Sequence, residues 1–207
     1  RIVFKSSSIL QWKHFQIAVE ANNTLIAAEA TIEEINEIDG VAEYLFQGDI
    51  NLTDGAGCFA TIGMAGGEQS LSLGNGCDSI GIAAHEFAHA LGVWHTQMRD
   101  DRDTFLRVDL TSVPPNLLHN YIKLPASRII NYTPYEYGSY MHYDSRSFST
   151  KGDSLIPLDS TYLRTLGSRI ISFYDIKMLN DHYGCNARCT TGGTVCFNGG
   201  VPNPRNC

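Results

Sequence analysis

The sequence predicts an α+β fold in two lobes. Three observations carry that expectation. Short apolar runs and one amphipathic segment precede Gly92. Irregular, proline-punctuated sequence follows from about Arg99. A capped helical pattern closes the second half from Ser172. At 207 residues, with 43% hydrophobic and 10% aromatic content, the chain is long and apolar enough to bury a sizeable core.

The elements follow in order. Phe15 to Val19 reads as a first strand. Asn23 can cap a helix from Thr24 to Asp39, with Leu25, Ala28, Ile32 and Ile35 on one face and Gly40 ending it. Val41 to Gln47 and Asp49 to Thr53 read as short strands. Cys58 to Met64 and Gln69 to Leu73 read as two more, joined by a turn at Gly66-Gly67. Asp78 or Ser79 caps the next helix, which Gly92 stops. Pro114-Pro115, Pro125, Pro134 and Pro157 then mark long loops. Ser172 caps a last helix running to Tyr183, with Asp175 at capping-box spacing and Phe173, Ile176, Leu179 and Tyr183 on the expected inner face. The resulting organisation is a domain over residues 1–184, with lobes of about 1–92 and 93–184, and a Cys-rich extension over 185–207.

The helix ending at Gly92 carries the chemistry. Its run is His85-Glu86-Phe87-Ala88-His89-Ala90-Leu91-Gly92-Val93-Trp94-His95. His85 and His89 are four apart, so both imidazoles leave one helix face. Gly92 permits the sharp turn that brings a third ligand, His95. Three neutral histidines with an open position suit one catalytic Zn²⁺, whereas closed structural sites normally take four protein ligands. Glu86, next to His85, is placed to serve as a general base for a metal-activated water. A closed structural zinc domain is disfavoured, because no fourth Cys or His follows within the run.

Further motifs extend this pattern: Arg99-Asp100-Asp101-Arg102-Asp103, then Ser139-Tyr140-Met141-His142-Tyr143, then Leu166-Gly167-Ser168-Arg169. Ser172, Asp175-Ile176, Leu179-Asn180, Tyr183 and Cys185 follow. From about Trp12 to Cys185 the chain resembles the astacin family of metzincin zinc endopeptidases. The resemblance implies a metzincin-type fold, with a twisted mixed sheet plus active-site helix in the N-terminal lobe and a loop-rich C-terminal lobe ending in a helix. It implies that Tyr143 is a fifth zinc ligand in the free enzyme that swings away to stabilise the oxyanion. Met141 would pack beneath the zinc ligands, and Cys58 to Ile62 would receive substrate as an edge strand. The charge run from Arg99 reads as an ion-pair network holding the chain after His95, with a solvated surface run as the alternative.

Two departures stand out. Thr96 occupies the position after the third His where the family usually carries Glu to anchor the mature N-terminus. Val41 stands where the usual partner of Cys185 would be. The resemblance pairs Cys58 with Cys77. The tail cysteines, Cys185, Cys189, Cys196 and Cys207, allow three pairings. An EGF-like opening favours Cys189–Cys207 and leaves Cys185–Cys196; a disulfide-stapled extension without binding function is the other reading of this tail.

Composition sets further bounds. A net charge of −7 argues against nucleic acid as a partner, and no stretch is long and apolar enough for membrane insertion. Six Cys and the glycosylation sequons at Asn22, Asn51 and Asn131 suit a secreted, extracellular protein. A second metal site is the competing use of the cysteines, but paired C-x-x-C spacing is missing. The start at Arg1, without Met, signal peptide or pro-segment, suits either a processed form or a trimmed one. The expected function is a secreted zinc-dependent endopeptidase acting on protein or peptide substrates. The alternative is a catalytically idle, zinc-stabilised extracellular binding protein; Glu86 argues against it.

Overall fold

The computed structural model describes strand backbone at residues 4–6, 20–21 and 24–25. It describes residues 50–207 apart from 67, 190–194 and 205–206. The fold is α+β, in two compact units, Arg1–Val93 and Trp94–Cys207.

In the first unit, β1 (Phe4–Ser6), β4 (Ile50–Thr53), β6 (Gln69–Leu73) and β5 (Cys58–Ala60) form one sheet in the order β1-β4-β6-β5. The first two neighbouring pairs are parallel; β5 runs antiparallel to β6 and forms an edge among the described residues. Glu20–Ala21 (β2) and Thr24–Leu25 (β3) pair as a separate antiparallel ribbon. Thr24 and Leu25 therefore do not begin a helix; β-branched Thr suits extended backbone better than a helical first turn. The remainder of that expected helix, 26–39, and the expected strands at Phe15–Val19 and Val41–Gln47 lie outside the described residues.

β5 ends at Ala60, four residues before the expected Met64, because the chain leaves the sheet at Gly63. With φ +70°, Gly63 turns and donates its N–H to the His89 carbonyl at 2.8 Å. Buried Gln69 secures this departure: its Nε2 donates to the Gly63 carbonyl, and its Oε1 accepts from Ala65 N. The sheet packs on α1 (Ile80–Ala90) through Ile50, Leu71, Leu73, Cys77, Ala83 and Ala90, with Phe87 against them. Ala83, Phe87 and Ala90 follow helical i, i+4, i+7 spacing, which gives α1 its inner stripe. A disulfide joins Cys58 to Cys77, tying β5 to the approach to α1.

The second unit has little regular structure. β7 (Leu106–Val108) pairs antiparallel with β8 (Leu155–Pro157), and short 3₁₀ turns fill much of the rest. Its core holds Leu106, Val113, Tyr121, Tyr135, Leu155 and Leu166, with Phe105 stacked on Tyr135. Irregular backbone leaves carbonyls that no ladder satisfies, so side chains must satisfy them. Buried Arg102 donates to the carbonyls of Gln97 and Tyr121. Arg99 grips Asp101 with two nitrogens and donates to the carbonyls of Thr133 and Pro134. Asp103 bridges Arg102 and Lys123.

Helix α2 (Phe173–His182) starts with a full capping box: Ser172 Oγ accepts from Asp175 N, and Asp175 returns the bond to Ser172 N. Its expected apolar inner face is not buried: Phe173, Ile176 and Tyr183 are each about half exposed. The deeply buried side chain is Asp175, which accepts from Ser139 Oγ and Tyr140 N. The cap, more than an apolar stripe, seats the helix start. Beyond it a disulfide joins Cys189 to Cys207. Cys185 and Cys196 are free thiols, so the expected Cys185–Cys196 bridge is not formed. The 3₁₀ turn Cys185–Cys189 holds Cys185 at the end of α2, while Cys196 stands exposed in the loop closed by the other bridge.

Candidate active site

Helix α1 begins because Ser79 Oγ accepts from Ile82 N. It ends at Gly92, whose φ of +91° closes a Schellman motif: Gly92 N donates to the His89 carbonyl and Val93 N to the Ala88 carbonyl. Only glycine takes that backbone without strain. The turn brings the Val93 carbonyl to 2.7 Å from His89 Nδ1. An acceptor there keeps the proton on Nδ1 and leaves Nε2 with its lone pair, the tautomer a metal ligand needs.

His85 and His89 sit edge to face, with ring centroids 4.6 Å apart. Burial, then the neighbouring His85, lowers His89 to about 4, so it is neutral at pH 7. Glu86, between them in sequence, is only 5% exposed, and burial raises its carboxyl to about 7. His95 follows the turn and opens the 3₁₀ segment Thr96–Met98. Donor atoms of His85, His89 and His95 all lie within 4.8 Å of one another. All three belong to one continuous stretch, so the path through Gly92 accounts for their proximity.

Within the second unit, the Tyr143 ring lies 4.6 Å from that of His95. Met141 is fully buried, and its carbonyl accepts from Thr96 N at 2.9 Å, pairing the chain just after His95 with the Ser139–Tyr143 segment. Thr96 Oγ1 also donates to Ser139 Oγ, which in turn donates to Asp175. Where the family usually has Glu, a short hydroxyl joins a local network ending at the α2 cap. Elsewhere, Asn51 Nδ2 donates to Glu68 and Asn131 Nδ2 to Asp100; Asn22 lies outside the described residues.

Sequence reasoning passed over buried Gln97 and gave no role of their own to buried Ser139 and His142, which it quoted only within the Ser139–Tyr143 motif. Gln97 Oε1 accepts from Tyr143 N, and His142 Nδ1 donates to the Tyr143 carbonyl. Polar residues beside the motif histidine and tyrosine were the available signal.

The chain is similar to known peptidases. The family model for Astacin, a peptidase family, matches residues 5–184. The zinc metalloproteinase nas-32 of Caenorhabditis elegans is 52% identical over 155 residues, 74% of this chain and 23% of that protein. The zinc metalloproteinase nas-31 of the same organism is 42% identical over 76% of this chain and 26% of its own length. The chain thus spans about a quarter of the length of these relatives. The solved structure of high choriolytic enzyme 1, a hatching enzyme zinc-protease from the medaka fish Oryzias latipes, aligns with a TM-score of 0.63 at 30% identity. That alignment covers 77% of this chain and 87% of that one.

Proposed function

Because this chain belongs to the astacin family of peptidases, we propose that it is a secreted zinc endopeptidase acting on protein or peptide substrates. One observation carries the reading: three histidine donors converge within 4.8 Å beside a buried glutamate. The donor set fits the metal, since His89 is neutral and the Val93 carbonyl orients its ring. His85, His89 and His95 would hold one Zn²⁺. Bound there, the ion lowers the pKa of a water and polarises the scissile carbonyl.

The chain's own residues do the rest. Glu86 accepts the proton of the attacking water and hands it to the departing amine. Burial raises its carboxyl, which helps it hold the proton for delivery, and a nearby cation favours the carboxylate needed to accept it. Tyr143 donates its phenol hydrogen to the substrate oxygen as charge grows there. Edge strand β5 offers backbone groups for an extended peptide, which gives affinity with little demand on side chains. Met141 is a packing support, and Gly92 sets the turn. Two disulfides and the sequons support an oxidising, extracellular setting, and no described helix is long and apolar enough to cross a membrane. Residues 1–184 form the peptidase domain and 185–207 a Cys-rich extension.

Peptide-library cleavage with the purified chain tests this. Cleavage that a chelator abolishes and zinc restores is expected. Tight zinc binding without cleavage would instead make the chain a zinc-stabilised binding protein.

A further inference from the structure

We propose that Gln97 is a positioning residue for Tyr143: it fixes the main chain from which the active hydroxyl extends. The inference rests on the role assigned to Tyr143 above. Gln97 is fully buried in the 3₁₀ turn directly after His95. Its carbonyl accepts from Nη1 of buried Arg102 at 3.0 Å, and that nitrogen also donates to the Tyr121 carbonyl at 2.6 Å. The residue is therefore anchored before its side chain reaches out. Its Oε1 then accepts from Tyr143 N at 3.2 Å. The opposite amide orientation would set a donor against a donor, so the bond fixes the flip.

Two further groups hold the backbone of the same residue. His142 Nδ1 donates to the Tyr143 carbonyl at 2.6 Å. Gly167, at φ +68°, passes so close that a Cβ would fall 2.8 Å from the Tyr143 carbonyl carbon and 2.5 Å from Asp144 N. The tyrosine backbone is thus held at N–H, at C=O and by close packing, while its ring meets His95, Phe148 and Tyr121.

The chemistry of Gln97 argues against simple space filling. Its Nε2 is buried and meets no hydrogen-bond acceptor among the described residues. A buried donor left unpaired is unfavourable, and methionine of similar length would fill the space without it. The side-chain acceptor serves Tyr143, and removing it should affect catalysis rather than folding.

The test compares Gln97→Met and Gln97→Glu, each alone and with Tyr143→Phe. Rates and zinc content are measured on the zinc-loaded protein, and amide hydrogen exchange on the metal-free chain. Gln97→Met should lower kcat about tenfold with KM within about twofold, the split expected when an interaction acts in the transition state. Zinc content should be unchanged. The melting temperature should move by no more than about 2 °C, because one orphan donor is removed as another is freed. Exchange at the Tyr143 amide should quicken at least about tenfold, reporting the lost bond directly. Gln97→Glu keeps an acceptor at the same reach and should stay within about threefold of wild-type kcat. In the Tyr143→Phe background, Gln97→Met should cost nothing more.

An undiminished loss in that background overturns the proposal, as does an unchanged kcat in Gln97→Met. A loss accompanied by melting or zinc release that Gln97→Glu does not repair also overturns it. Full activity in Tyr143→Phe alone would remove the role assigned to Tyr143, and this inference with it. Unchanged Tyr143 exchange in Gln97→Met would sink the inference while leaving that role intact.

Discussion

At Glu86 burial sets the chemistry: the carboxyl is almost wholly withdrawn from water, which raises it to about 7. Glu86→Gln keeps the shape and loses the proton acceptor. It should retain one zinc per chain and lose activity by about 10²–10⁴-fold, the usual contribution of a general base. Zinc analysis beside kcat/KM checks this, and activity within about threefold of wild type would refute the assignment. Tyr143→Phe should leave fold and zinc intact and lower kcat more than it raises KM, since the missing hydroxyl acts mainly in the transition state. An effect on KM alone would make Tyr143 a substrate-binding residue. His142 offers a test of stability. Burial lowers it from 6.5 to about 4, while its nitrogens meet the Tyr143 carbonyl and the Tyr135 hydroxyl. The folded value lies below the unfolded one, so the unfolded chain takes up the proton first as pH falls. Stability should therefore decline between about pH 6.5 and 4 and level off below, by up to about 3 kcal/mol from this residue. Denaturant unfolding of wild type and His142→Gln across that range should show a shallower slope in the variant.

At the scale of elements, helix ends do more than helix faces. The stop of α1 at Gly92 both closes the helix and aims the Val93 carbonyl at His89. Gly92→Ala meets no steric obstacle, its nearest neighbour being Gly63 Cα at 3.9 Å, but its φ of +91° suits no Cβ. We expect a loss of about 1–2 kcal/mol and weaker zinc binding, read by denaturation and by competition with a chelator. Unchanged zinc affinity would show that the turn does not orient His89. Both cap signals were legible in the sequence, because Ser172 with Asp175, and Gly92 after His89, act through neighbours a few residues away. The catalytic run was legible for the same reason: its spacing is local. The contacts of Gln97 and Ser139 were not, and the distances along the chain say why. Gln97 meets Tyr143 from 46 residues away, and Ser139 meets Asp175 from 36. Such contacts leave no periodic trace. The apolar face read onto α2 failed for the opposite reason. Phe173, Ile176 and Tyr183 have helical spacing, yet the buried contact at that helix start is the carboxylate of Asp175.

For the whole molecule, cross-links and metal should govern stability together. The Cys58–Cys77 and Cys189–Cys207 bridges join cysteines 19 and 18 positions apart in the sequence. Each restricts the unfolded chain by about 3 kcal/mol in the loop-entropy account. A thiol titration of the native chain should count two, Cys185 and Cys196; a count of zero would restore the bridge between them. Zinc acts instead on the folded state, because the unfolded chain does not hold three imidazoles within a few ångströms. Free zinc at about a thousand times its dissociation constant should add about 4 kcal/mol. For a chain of this length that raises the melting temperature by roughly 8–16 °C. Chelation should reverse the rise. His89→Ala should abolish the response, since it removes the ligand whose tautomer the α1 stop fixes. Glu86→Gln should keep it, because the glutamate is not a ligand in this scheme. A zinc-dependent rise of equal size in His89→Ala would mean that the stabilising ion sits elsewhere.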